Sequence, residues 1–151
     1  MEVYRISHKN HSKALSSSGV ANRWNLDGEF VIYAGASRSL STLELVVHRN
    51  SINKLPEYEV MIISIADEED LYEQITIKKL PQNWRSFEAY YKLQMIGSNW
   101  YKEQRSLVLK VPSAVISKEY NYIINTKHPL FIKKVALVRN EDYFFDERLF
   151  G

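Results

Sequence analysis

Phe30-Val31-Ile32-Tyr33-Ala34-Gly35, followed at once by Ala36-Ser37-Arg38-Ser39-Leu40-Ser41-Thr42-Leu43-Glu44-Leu45-Val46-Val47-His48-Arg49, is the stretch on which the fold turns. Its first part is apolar on both alternating faces from Phe30 to Ala34, the pattern of a strand covered on both sides, and Gly35 closes it. The second part changes period. Leu40, Leu43 and Val47 recur at helical spacing, which predicts a helix from about Arg38 to Arg49. Glu44, four residues after Leu40 and three before Val47, then falls on or beside the apolar stripe instead of the solvent face.

Working outward, Glu2–Ile6 reads as a short opening strand, and residues 7–28 form a long loop rich in Ser, Asn and Lys, with a helical turn expected near Ser12–Leu15. Loops of that length in small domains are often functional. Arg23-Trp24-Asn25 lies near its end, before the turn signal Asp27-Gly28. Beyond the helix come strands at Tyr58–Ile65 and Leu71–Ile77, a break at Leu80-Pro81-Gln82-Asn83-Trp84, and a helix from Phe87 to about Trp100 despite Gly97. Strands at Ser106–Val111, Asn121–Asn125 and Lys134–Val138 and an aromatic tail, Phe144–Phe150, complete the chain. Core closure is the reading given to that tail, with a subunit contact as its rival. The expectation is α+β: one compact mixed domain over residues 1–151, with central β-sheets and two main flanking helices.

Composition bounds the function. The 151 residues, 45% hydrophobic, suit one core and one principal site. A formal net charge of +2 with 25% charged residues, acids and bases interspersed, does not indicate nucleic-acid binding by bulk electrostatics. The absence of cysteine excludes disulfides and thiolate zinc sites and fits a reducing cytoplasm. No signal-peptide pattern or membrane-length apolar run is expected. The four histidines, His8, His11, His48 and His128, lack metal-ligand spacing, so no metal is expected, and neither a Walker motif nor GxGxxG is present.

Three polar residues stand where apolar ones would be ordinary: Arg5 in Val3-Tyr4-Arg5-Ile6, Glu44, and Ser113 in Val111-Pro112-Ser113-Ala114-Val115. Buried without partners, each would cost several kcal/mol, on the order of a domain's ~5–15 kcal/mol of total stability. Arg5 is either a strand-edge cation snorkelling to solvent or an anion anchor, and Arg23 poses the same question from a loop. Two such arginines suit a pyrophosphate. Glu44 either closes a capping box with Ser41, or, with Ser37 or Ser39 as the cap, is free to stabilise a cationic transition state. Tyr33 is core or a stacking surface for a flat ligand. Ser113 is a turn residue or a ligand-orienting hydroxyl, since no histidine stands in a hydrolase motif beside it.

In this order and spacing the motifs resemble the RES domain family. The similarity runs through Tyr4-Arg5-Ile6, Arg23-Trp24-Asn25, Val31-Ile32-Tyr33-Ala34, Leu43-Glu44, Ile96-Gly97-Ser98-Asn99-Trp100, Leu109-Lys110-Val111-Pro112-Ser113, Asn121-Tyr122-Ile123-Ile124-Asn125, His128-Pro129 and Phe145-Asp146-Glu147-Arg148-Leu149. The resemblance implies a fold related to ADP-ribosyltransferases and the toxin of a bacterial toxin–antitoxin pair that degrades NAD by hydrolysis or phosphorolysis. Transfer of ADP-ribose to a protein is the second implied activity, and a non-catalytic binding module the alternative outside enzymology. Carried over by motif, Glu44, Arg5 and Ser113 are the expected catalytic residues, and Arg5, Arg23, Tyr33 and Ser113 the expected NAD-binding ones. NAD is then substrate, with inorganic phosphate a possible co-substrate and no other cofactor. The implied partner is an antitoxin with a helix-turn-helix DNA-binding region that blocks the pocket.

Overall fold

The computed structural model describes residues 1–48 and 57–150. Seven strands form one sheet: β1 (Glu2–His8), β2 (Val31–Gly35), β3 (Tyr58–Ile65), β4 (Tyr72–Gln74), β5 (Val108–Pro112), β6 (Tyr120–Asn125) and β7 (Val135–Tyr143), in the order β4-β5-β6-β2-β1-β3-β7. All neighbours are antiparallel except β4 and β5. Among the described residues three α-helices accompany them: α1 (Arg38–His48), α2 (Tyr90–Glu103) and the single turn α3 (Phe131–Lys134). The α+β expectation holds.

β2 lies between β6 and β1, and its alternation divides the core. Ile32 and Ala34 join a cluster with Val3, Ile63, Val108 and Ile124, while Val31 and Tyr33 join Trp24, Trp84, Leu93, Trp100, Leu109 and Ile123. A strand apolar on both faces is thus explained by two cores, one on each side. Gly97 is in α2 because the helix packs against backbone there: a Cβ at this position would stand 1.7 Å from the Trp24 carbonyl oxygen. The ~1 kcal/mol that glycine costs a helix interior is offset by that close approach.

What positions the site is a seam in the sheet. Every residue of β1 pairs with β3 and every residue of β2 with β6, yet β1 and β2 share only the pair Tyr4↔Gly35. Ser41 of α1 fastens this point, its hydroxyl 2.8 Å from the Tyr4 carbonyl oxygen and 2.9 Å from that of Ser37. Gly35 has no side chain because Ser41 takes the space: a Cβ there would lie 2.5 Å from its Oγ. Away from that single pair no further backbone pairing joins β1 to β2 among the described residues.

Several expectations are corrected. The turn after β1 is a 3-10 turn at Lys9–His11, not a helical turn near Ser12–Leu15. The strand expected at Leu71–Ile77 shrinks to β4, followed by a 3-10 turn at Ile77–Lys79. β7 continues past Val138 to Tyr143, through polar residues suited to an edge strand with a solvent face. Val47 is 55% exposed and so does not continue the stripe of Leu40. Arg49, the expected helix end, lies outside the described residues. In the tail, Phe145 closes onto the core, edge-on to Tyr58 and Tyr143, whereas Phe144 is exposed.

Candidate active site

A cavity of about 260 Å³ occupies the seam. β1 supplies Tyr4 and Arg5, β2 supplies Tyr33 to Gly35, α1 supplies Ser41, Glu44, Leu45 and His48, and the loop before β2 supplies Asn22 to Trp24. The face of α1 turned to it is therefore Ser41, Glu44, Leu45 and His48, spaced i, i+3, i+4 and i+7. This resolves the position of Glu44. Ser37, not Ser41, accepts from an early helical amide, that of Leu40, so no capping box engages the glutamate.

Glu44 is held from the sheet instead. Ser113 Oγ donates to its Oε1 at 2.8 Å, and Asn121 Nδ2 donates to the same oxygen at 2.7 Å. The other oxygen, Oε2, has His48 Nε2 at 3.9 Å. With its side chain 21% exposed, Glu44 is a fixed carboxylate with one edge toward the cavity. Ser113 itself is fully buried and accepts from the amides of Val115 and Ile116 while donating to Glu44. It is the turn residue expected, and its hydroxyl also holds Glu44.

Arg5 is not at a sheet edge, since β1 lies between β2 and β3. Its Nη1 donates to the Tyr33 carbonyl at 3.2 Å, and burial pulls its pKa below the ordinary arginine value. A cation so enclosed is stabilised by an anion. Arg23 lies over the Tyr90 ring at 5.2 Å and approaches the carbonyls of Trp84 and Arg85 at 3.4 and 3.5 Å, contacts too long to occupy it fully. Tyr33 lines the cavity, and its hydroxyl donates to Asn25 Oδ1 at 2.6 Å and accepts from the Trp24 amide at 3.0 Å. Burial drives that hydroxyl's pKa well above the usual tyrosine value. The tyrosine thereby ties the Arg23-Trp24-Asn25 loop to the sheet.

The structure brings Arg5, Arg23, Tyr33 and Glu44 to one cavity and sets Ser113 immediately behind it. Asn121, the second donor to Glu44, was missed as a site residue. So were Asn25, nearly fully buried and bonded to three loop carbonyls, and Glu29, a buried carboxylate holding Leu26 N and Ser98 Oγ. Among the described residues no group of three or more His, Asp or Glu could hold a metal ion, and no helix is long and apolar enough to cross a membrane.

The RES domain model matches residues 2–146. The chain belongs to the RES domain family. Its relatives include "Toxin Res" of Yersinia enterocolitica, 35% identical over 99% of both chains, and "Toxin Res" of Photorhabdus laumondii, 30% identical over 99% of this chain and 97% of the other. A "Prs ADP-ribosylating toxin" of a Sphingobium species is 37% identical over 89% of this chain and 86% of its own length. Among solved structures, the M. tuberculosis MbcT-MbcA toxin–antitoxin complex contains a chain that superposes with a TM-score of 0.72 at 17% identity, covering 94% of this chain and 83% of that one. At that identity the likeness is one of fold. It agrees with the α+β fold described above.

Proposed function

We propose that this RES domain is the toxin of a toxin–antitoxin pair and that its seam cavity cleaves the bond between nicotinamide and ribose in NAD. The observation that carries the reading is a carboxylate, Glu44, immobilised by Ser113 and Asn121 in a cavity that also contains two arginines. Arg5 and Arg23 hold the pyrophosphate, for which planar guanidinium forks are suited. The Tyr33 ring packs against the nicotinamide or its ribose. Nicotinamide leaves as a neutral group from a cationic one, so its departure needs no general acid. Glu44 stabilises the positive charge that develops on the ribose, a role that rewards a carboxylate whose position is fixed before the reaction.

Water or inorganic phosphate then attacks the ribosyl carbon, giving ADP-ribose or its phosphate ester, and no further cofactor is required. Incubating the protein with NAD, with and without phosphate, and separating the products tests the reading. Nicotinamide release is expected, and its absence under both conditions rejects NAD cleavage in favour of a binding module. A second reading, transfer of ADP-ribose to a protein, is favoured by the relative named as an ADP-ribosylating toxin. Labelled NAD in cell extract would then leave label on a macromolecule. The likeness to a chain solved in a toxin–antitoxin complex supports a cognate antitoxin as partner, and covering the cavity is the role expected of it. A helix-turn-helix protein encoded beside this one is the expected partner.

A further inference from the structure

We propose that the exposed Phe87 ring, backed by Tyr90, is the seat of the adenine base, outside the seam cavity; the inference rests on the NAD reading above. Size is the first argument. Pockets that enclose drug-sized ligands run roughly 300–1,000 Å³, and the seam holds about 260 Å³. One nucleoside half of a dinucleotide fits there. The other half must lie beyond the arginines.

Position is the second argument. From the cavity the path leads through Arg23, whose guanidinium carbon stands 5.2 Å from the centre of the Tyr90 ring, to Phe87, whose ring centre is 5.4 Å from that of Tyr90. Tyr90 is fixed, its hydroxyl donating to Oδ1 of cavity-lining Asn22 at 2.9 Å. Arg85, two residues before Phe87, donates to the carbonyl of cavity-lining Ala114 at 3.0 Å, so the segment carrying Phe87 is anchored to the rim of the same cavity. Phe87 itself is 84% exposed.

Single exposed apolar side chains need no explanation. This one differs in being steadied by a second ring beside a cation that already faces the cavity. A purine offers a π-face to such a ring, and Arg23, over the neighbouring Tyr90 ring, suits the adjoining phosphate.

The test compares Phe87→Ala with the wild type on two substrates that share the scissile bond: NAD, and nicotinamide mononucleotide, which lacks the adenosine half. The KM for NAD is expected to rise at least about fivefold, the lower end of what base–aromatic stacking supplies, with kcat unchanged. Turnover of nicotinamide mononucleotide should be unaffected, and Phe87→Trp should restore the KM for NAD. An unchanged thermal midpoint checks that the exposed substitution leaves the fold intact. An unchanged KM for NAD, or an equal loss on both substrates, overturns the adenine seat while leaving NAD cleavage standing. A wild-type protein that releases no nicotinamide rejects the underlying reading and the adenine seat with it.

Discussion

Glu44 and the two arginines line the same cavity, but they are held very differently. Both donors that reach Glu44, Ser113 Oγ just past the end of β5 and Asn121 Nδ2 in β6, converge on one carboxylate oxygen. Arg5 and Arg23 donate to main-chain carbonyls at 3.2 to 3.5 Å, long contacts that leave most of each guanidinium's five donors for something else. The carboxylate side is complete before any ligand arrives. The cationic side is not, and this is the division of labour expected if charge stabilisation must be preorganised while binding groups close on an anion.

The largest effect should come from breaking the finished side. Glu44→Gln keeps the shape and both hydrogen-bond donors but removes the charge, and kcat for nicotinamide release should fall by about 10²–10³, the scale of losing a preorganised electrostatic group. Wild-type turnover in this variant would reject the role given to Glu44. Arg5→Ala attacks the other side. Loss of a charge-assisted hydrogen-bonding group worth about 1.5–3 kcal/mol should lower kcat/KM by roughly 10- to 150-fold, and Arg5→Lys should recover only part because an ammonium lacks the planar fork.

The two supports of Glu44 can then be told apart. Asn121→Ala should reduce kcat about tenfold with KM nearly constant. Ser113→Ala should reduce it similarly but also lower unfolding stability by about 1–3 kcal/mol, because the fully buried hydroxyl also accepts from Val115 and Ile116. Equal stability in the two variants, measured by urea denaturation, would contradict that distinction.

The smallest effect concerns the footing of the cationic side. Tyr33, which ties down the Arg23 loop, has its pKa raised by burial, and burial also pushes Tyr72 up to about 12. A raised folded pKa means stability fully present below the unfolded value near 10 and lost as pH rises toward the folded one. The protein should therefore be less stable at pH 11 than at pH 8. The difference should shrink in Tyr33→Phe, and a pH-independent stability would contradict it.

Much of this was legible in the sequence because burial leaves a chemical signature. Arg5 in an apolar run and Glu44 beside a helical stripe announce themselves as polar groups in need of partners, and both line the cavity. A strand apolar on both faces identified β2 as central. Val47 misled because helical spacing gives a stripe without saying which flank of it is covered, and the face that matters here runs through Ser41, Glu44, Leu45 and His48.

Asn121 was illegible for a different reason. Its importance comes from register, since it pairs with Gly35, one end of the backbone pair that crosses the seam, and register is a long-range property that local pattern does not encode. Ser113 was read as a hydroxyl that orients a ligand. Only the packing of α1 against the sheet reveals that its hydroxyl also reaches Glu44.

The most direct test is a crystal structure of Glu44→Gln with NAD bound, the substitution slowing cleavage enough to retain the dinucleotide. The account predicts the nicotinamide ribose against residue 44 in the seam, with Ser113 and Asn121 unmoved and the pyrophosphate on Arg5 and Arg23. A dinucleotide bound away from the seam, or a pyrophosphate that touches neither arginine, would contradict it.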